Sequence, residues 1–179
     1  MLNKIKELII KLFKLGKSFT RDELLSFGAR VGENFYNCGI IDRGHAHLLT
    51  IGDNVTLSSC RILLHDASTK LALDHSRIGR VEIGDNVFVG AGVIILPNVK
   101  IGSNVVIGAG SVVIRDIPDN CVAVGNPCKP VKPYDQFIEE NKKLMETSPV
   151  YYIPFDEKTK ADKKDQFDKL KDGGIGFDY

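Results

Sequence analysis

The stretch IGDNVFVGAGVIILPNVKIGSNVVIGAGSVVIRDIP, residues 83–118, decides the fold. Aliphatic residues stand at every sixth position: Ile83, Val89, Ile95, Ile101, Ile107 and Val113. Gly follows four of them, at Gly84, Gly90, Gly102 and Gly108. Four residues after each aliphatic comes Val87, Val93, Val99, Val105, Ser111 or Ile117. A helix does not produce this pattern. Its apolar positions recur at 3.6 residues, and Gly every six would weaken each turn. A single alternating strand of this length, with no hairpin turn, is excluded as well. The period predicts a parallel β-helix. Each hexad supplies one short strand and one corner, and the first-position aliphatic points inward and stacks on its counterpart one coil above. Asn54, Asn86 and Asn104, in Asp-Asn or Ser-Asn pairs, fall at corners, where Asn tolerates the backbone angles of a turn.

Working outward, an earlier block repeats the pattern as Ile51-Gly52-Asp53-Asn54-Val55-Thr56, followed by Leu57 and Leu63. Val31-Gly32-Glu33-Asn34-Phe35 is a weaker start. The two clear blocks differ in phase by two residues, so the segment at 65–80 is expected to leave the regular coil. It carries Asp66, Ser68, Thr69, Lys70, Asp74, His75, Ser76 and Arg77 where the coil wants aliphatics.

The chain divides into three segments on this reading: 1–30, 31–133 as the β-helix, and 134–179. Residues 1–15 place Leu2, Ile5, Leu8, Ile9, Leu12 and Phe13 at helical spacing among lysines. They read as a basic amphipathic helix, neither a signal peptide nor a spanning segment. Its apolar face suits packing on the main domain first, and weak membrane-surface contact through residues 1–17 second. Residues 134–147 read as a helix with Phe137, Ile138, Leu144 and Met145 as its apolar positions; 148–179, which mix Pro, Lys and Asp and end in a Gly-rich run, read as a tail that packs on a neighbouring subunit or is partly disordered. The net charge of +1 gives no electrostatic case for nucleic acid. Cys38, Cys60, Cys121 and Cys128 form no CxxC pair and no zinc spacing. They read as reduced thiols of a cytoplasmic protein.

The repeat resembles that of the hexapeptide-repeat acyltransferases, whose fold is a left-handed parallel β-helix with three hexads per turn. The handedness comes from the resemblance and not from the spacing. Within the family, residues 83–132 resemble the last coils of galactoside, maltose and polysaccharide O-acetyltransferases, through GAGSVV at 108–113, RDIP at 115–118 and GNPCK at 125–129. The resemblance covers about residues 31–133. It implies an acyl donor, acetyl-CoA, and a homotrimer with active sites at subunit interfaces.

The donor's pantetheine arm needs a wall of small residues that lets it approach the backbone. Ala91, Gly92, Ala109 and Gly110 provide one. By resemblance, Ala91 and Ala109 meet that arm, Ile114 and Arg115 lie toward the adenine, and Lys129 and Lys132 lie near the phosphates. Acyl transfer also needs a base, and histidine suits it because its charge changes near neutral pH. His65, at the mouth of the excursion, resembles the family's catalytic histidine, although the local HDAS wording departs from the Gly-His-Pro of the galactoside branch. His75, inside the excursion, is a further acceptor-side residue and an alternative base. Asn37 and Asp42 resemble positions that contact a sugar. His45 and His47 alternate about Ala46 on an expected strand and share a face; lacking a third ligand at suitable spacing, they leave the expectation of no metal. Asp66 orients His65 only if the chain bends there.

The reading is an all-β, CoA-dependent O-acetyltransferase that acylates a hydroxyl of a sugar or polysaccharide precursor. One alternative is an N-acyltransferase on a nucleotide-linked amino sugar. A more distant one is a metal-dependent hydratase on the same fold, which wants three histidines on one metal. An inactive structural β-helix is a further rival, against which the intact His65 and GNPCK speak.

Overall fold

In the computed structural model, which describes residues 18–179, the hexads fold as short strands joined by corners. The amphipathic stretch at 1–15, and the membrane contact expected of 1–17, lie outside the described residues. Three parallel sheets make the sides of a prism. Face A stacks β1 (Arg30–Val31), β4 (Leu49–Ile51), β9 (Val81–Ile83) and β12 (Val99–Ile101). Face B stacks β2 (Tyr36–Asn37), β5 (Val55–Leu57), β10 (Val87–Val89), β13 (Val105–Ile107) and β15 (Cys121–Val124). Face C stacks β3 (Ile40–Ile41), β6 (Arg61–Ile62), β11 (Ile94–Ile95) and β14 (Val112–Val113). A last strand, β16 (Lys129–Pro133), runs antiparallel to β15 and ends face B.

The register explains the period. Val81 faces Val99, Val87 faces Val105 and Ile94 faces Val112, a step of 18 residues on every face. Like residues therefore stack inside: Ile51, Ile83 and Ile101 under face A, Leu57, Val89 and Ile107 under face B, Ile62, Ile95 and Val113 under face C, all buried. Truncating one such residue to Ala leaves a cavity that costs about 2–5 kcal/mol. Ser111 takes an aliphatic's place in this core. It stays satisfied because its hydroxyl donates to Gly108 O at 2.6 Å and accepts from Gly125 N at 3.0 Å.

The corners carry a second ladder. Asn34, Asn54, Asn86, Asn104 and Asn120 all have φ between 53° and 57°. Their side-chain amides bond one to the next along the axis at 2.9–3.0 Å. The residue before each of the last four accepts a backbone N–H from the coil below: Asp53 from Glu33, Asp85 from Asp53, Ser103 from Asp85 and Asp119 from Ser103. Gly precedes that pair for lack of room, since a Cβ on Gly52 would stand 2.1 Å from Asp85 Oδ1 and 2.8 Å from the Gly84 carbonyl carbon.

The insertions into the coil enter where face C passes to face A. That link takes three residues between Ile95 and Val99. Between Ile41 and Leu49 it takes seven, most of them in a 3-10 helix, Arg43–Leu48. Between Ile62 and Val81 it takes eighteen. These eighteen form the expected excursion. β7 (His65–Asp66) leaves the coil and β8 (Arg77–Ile78) returns antiparallel to it, with a single helical turn, α2 (Lys70–Leu73), at the tip. Before the first coil, α1 (Arg21–Ser26) starts from a Thr20/Glu23 capping box and buries Leu24, which joins Phe19 in the core.

Asp135–Tyr179 forms a second compact unit. The helix read at 134–147 is present as α3 (Tyr134–Thr147). The tail at 148–179 carries secondary structure of its own. It holds β17 (Val150–Tyr151), α4 (Lys160–Leu170) and β18 (Phe177–Asp178), with β17 and β18 paired in parallel. Its mixture of Lys and Asp hides a helix stabilised locally. Thr159 and Asp162 make a capping box, and Lys164–Asp168 and Lys169–Asp165 pair one turn apart. Buried Lys158 pairs with Asp178. Among the described residues no helix is long and apolar enough to cross a membrane.

Candidate active site

The two longest links share one edge of the prism, so one lies directly above the other. Asp42 follows the face C strand of the first coil, and His65, three residues past the face C strand of the second, opens the excursion above it, since Ile41 faces Ile62. This stacking joins residues 23 apart in sequence. Asp42 caps the 3-10 turn, its Oδ1 accepting from Gly44 N at 3.1 Å. Its Oδ2 accepts from His45 Nδ1 at 3.0 Å and from His65 Nδ1. The two rings stand 4.9 Å apart, centre to centre, tilted by 38°.

Burial pushes the Asp42 carboxyl up, but hydrogen bonds from His65 and His45 outweigh it and hold the group below the usual carboxylate range. Asp42 therefore stays an anion and acceptor, and each ring directs an Nδ1–H at it. In the neutral ring this contact favours the tautomer with its proton on Nδ1 and the lone pair on Nε2, the form a general base needs.

A cleft of about 630 Å3 opens beside His65. Leu63, Leu96 and Ile114 form one apolar wall, stacked a coil apart because their neighbours Ile62, Ile95 and Val113 face one another. Asp66 and Arg77, joined as an ion pair, line it on the excursion side. The Arg77 hydrogen bond, with help from the backbone and side chain of Ser68, pulls the Asp66 carboxyl down to about 2.

Ile114 thus shares the cleft with His65. Ala91, Gly92, Ala109 and Gly110 lie on the neighbouring edge, between faces B and C, all exposed. They stack as a ledge, Gly110 N donating to Ala91 O at 2.9 Å, and a Cβ on Gly110 would meet nothing within 4 Å. Lys129 faces Val124 at the end of β15, and Lys132 faces Val122. Arg115 is exposed immediately beyond Ile114.

The acceptor-side residues fall differently. The Asn37 side chain is taken up within the chain, donating to Phe19 O at 2.9 Å and accepting from Gly39 N at 2.7 Å. Both oxygens of Asp42 are engaged as described. His75 bonds Leu73 O at 2.7 Å in the exposed excursion and does not line the cleft. Asp66 is turned to Arg77, so the carboxylate beside His65 is Asp42. His45 and His47 are not on a strand: Ala46 between them is fully buried in the 3-10 turn, and His45 swings to Asp42. A third donor for His45 therefore exists after all. Donor atoms of Asp42, His45 and His65 lie within 4.8 Å of one another. The sequence held one clue to this triad, the phase slip at the same edge; nothing in the local spelling links Asp42 to His65.

The description "Bacterial transferase hexapeptide (six repeats)" matches residues 80–115. Protein CapG of Staphylococcus aureus is 37% identical over 142 residues, which cover 74% of this chain and 81% of that protein. SACOL2570 of Staphylococcus aureus strain COL, which carries a provisional acetyltransferase name, is 40% identical over 74% of this chain and 71% of its own. Among solved structures, a galactoside acetyltransferase in complex with coenzyme A superposes with a TM-score of 0.54 at 31% identity, covering 74% of this chain and 63% of that one. With its 18-residue coils, its corner ladder and these relatives, the chain belongs to the hexapeptide-repeat acetyltransferases, which share the left-handed parallel β-helix.

Proposed function

We propose that the chain moves an acetyl group from acetyl-CoA to a hydroxyl of a sugar or polysaccharide precursor, as a cytoplasmic homotrimer with its active sites at subunit interfaces. The observation that carries this reading is His65, held by Asp42 with Nε2 free, beside a cleft large enough for a small acceptor. Acetyl-CoA supplies the acetyl group as a thioester whose thiol is the leaving group. His65 Nε2 takes the proton of the attacking hydroxyl, and Asp42 stabilises the imidazolium so formed. The same Nε2–H then returns its proton to the departing thiol, so His65 ends the cycle as it began.

The ledge at Ala91, Gly92, Ala109 and Gly110 fits a slender donor arm, because it is exposed and has no side-chain bulk. Ile114 connects the ledge's face to the cleft. Lys129, exposed at the start of β16, is suited to a phosphate. Four free thiols fit a reducing compartment; burial pushes the Cys60 thiol up to about 11, which makes it a poor nucleophile.

The test is thiol release from acetyl-CoA across a panel of sugars, nucleotide sugars and small amines. A sugar hydroxyl is expected to give the fastest turnover, and an amine as the preferred acceptor turns the reading to N-acylation. His65→Ala should keep the circular dichroism of the wild type and lose about 10²-fold or more in turnover. Equal turnover removes His65 from the chemistry.

A further inference from the structure

The transfer chemistry uses His65 and Asp42 and leaves His45 without a task. Its ring nevertheless points Nδ1 at the same Asp42 Oδ2 from 3.0 Å. Asp42 and His45 are fixed on one 3-10 turn, three residues apart, while His65 comes from the coil above. The three side chains are partly exposed, Asp42 least of all. Two imidazole nitrogens and one carboxylate oxygen thus converge from two rigid coils, all within 4.8 Å. That is the donor set and number which a tetrahedral zinc-class cation takes from a protein when its fourth position stays open.

The spacing is close to what such an ion asks. Bonds of about 2.0–2.1 Å in a tetrahedron set donors about 3.3 Å apart. The contacts on Asp42 are tighter than this while the three donors together span up to 4.8 Å, so the rings must readjust by about an ångström. They have room, since a third of each side chain is exposed.

We propose that Asp42, His45 and His65 form a three-donor site for a divalent cation of the zinc class, and that its occupancy switches the enzyme off. Nitrogen-rich donors favour Zn2+, Ni2+ or Cu2+ over Mg2+ and Ca2+. Coordination through Nδ1 displaces the proton now on that nitrogen to Nε2, within the same ring and with no net change in its proton count. His65 then presents N–H where the transfer needs a lone pair. Cation binding stands on the geometry alone; the inhibition rests on the reading of His65 as base.

The experiment uses the full chain without an affinity tag, carrying Cys38→Ser because Cys38 is its one exposed thiol. Zn2+ is titrated by calorimetry and against a chromogenic chelator, with Mg2+ as the hard-cation arm, and acetyl transfer is followed in parallel. One Zn2+ per chain is expected, with no Mg2+ uptake. His45→Phe and His45→Gln should each weaken binding by about tenfold or more, while His47→Gln and His75→Gln leave it unchanged. Transfer should fall with the same concentration dependence as binding and return on adding a chelator. Absence of stoichiometric binding, or binding that survives both His45 variants, overturns the site. Full occupancy with undiminished transfer overturns the switch; whether His65 is the base is then decided separately by His65→Ala without metal.

Discussion

At Asp42 two imidazole N–H groups share one carboxylate oxygen, and the other oxygen is tied to the Gly44 amide. Both oxygens of this side chain are therefore engaged, and in the proposed reaction it positions His65. Asn at 42 keeps the shape but loses the charge, and its amide –NH2 can face the rings and turn His65 to the wrong tautomer. Asp42→Asn should lower kcat by about 10²-fold or more while the KM for acetyl-CoA stays near its wild-type value. Asp42→Glu should recover part of the loss. Steady-state kinetics with the donor varied checks both, and a change confined to KM would show Asp42 to be a binding residue instead. The carboxyl is held below its ordinary value, so the sign of its linkage is fixed: its contribution is complete above about pH 3.9 and is lost only as pH falls through the lower folded value. At neutral pH the dyad is intact.

The excursion is the element that varies on a coil that does not. Its base is held by the β7–β8 pairing, closed by Gly79 N donating to Leu64 O at 3.0 Å, by the Asp66–Arg77 ion pair and by the His65–Asp42 contact, and Thr69 Oγ1 donates across it to His75 O at 2.7 Å. Its tip exposes Leu71 almost completely. Asp66 has its pKa lowered to about 2, so the tether is fully present above the unfolded carboxylate value and is lost as pH falls toward 2. Hydrogen exchange at Gly79 N–H, corrected for its intrinsic pH dependence, should stay flat from pH 7 to about pH 4 and then accelerate. Gly90 N–H, bonded to Ile107 O inside the coil, serves as the internal reference. Asp66→Asn should show the fast exchange at every pH; an excursion equally protected in that variant would mean the ion pair holds nothing. This element also marks where sequence reading reached and stopped. The six-residue period is written by residues that each touch their own copy one coil away, so it survives in one dimension. The slip of two residues is what remains when a 32-residue step, Leu49 to Val81, is read in sixes, so the excursion was legible too. The shorter insertion at Arg43–Leu48 was not, because the first coil's repeat is weak, and His-Ala-His looks like a strand whether Ala46 is buried by a pleat or by a turn. The Asp42–His65 pair has no local spelling at all: only the stacking of two insertions on one edge creates it.

In the whole β-helix the three faces differ on their outer sides. Register places Arg30, Thr50, Glu82 and Lys100 in line on face A. The corresponding line on face B is Tyr36, Thr56, Phe88 and Val106, with Tyr36 and Phe88 exposed. Charged side chains on face A are content in water. An aromatic and aliphatic line on a flat parallel sheet is better placed against another subunit. A closed ring of three copies covers such a face in each copy without leaving it open for further addition. The proposed homotrimer therefore makes a sharp prediction about where charge is tolerated. By sedimentation or light scattering, the wild-type chain should show three times its 19.8 kDa mass. Phe88→Arg should shift it toward a single copy, because the new guanidinium cannot keep its water inside an apolar contact. Lys100→Glu, a larger change of charge on face A, should leave the three-copy mass unchanged. The coil itself is not at stake, since Phe88 points outward and its core neighbours Val87 and Val89 are untouched, so circular dichroism should be that of the wild type. If Phe88→Arg still assembles as three copies while Lys100→Glu does not, the subunit contact lies on face A and the active site must be completed from that side.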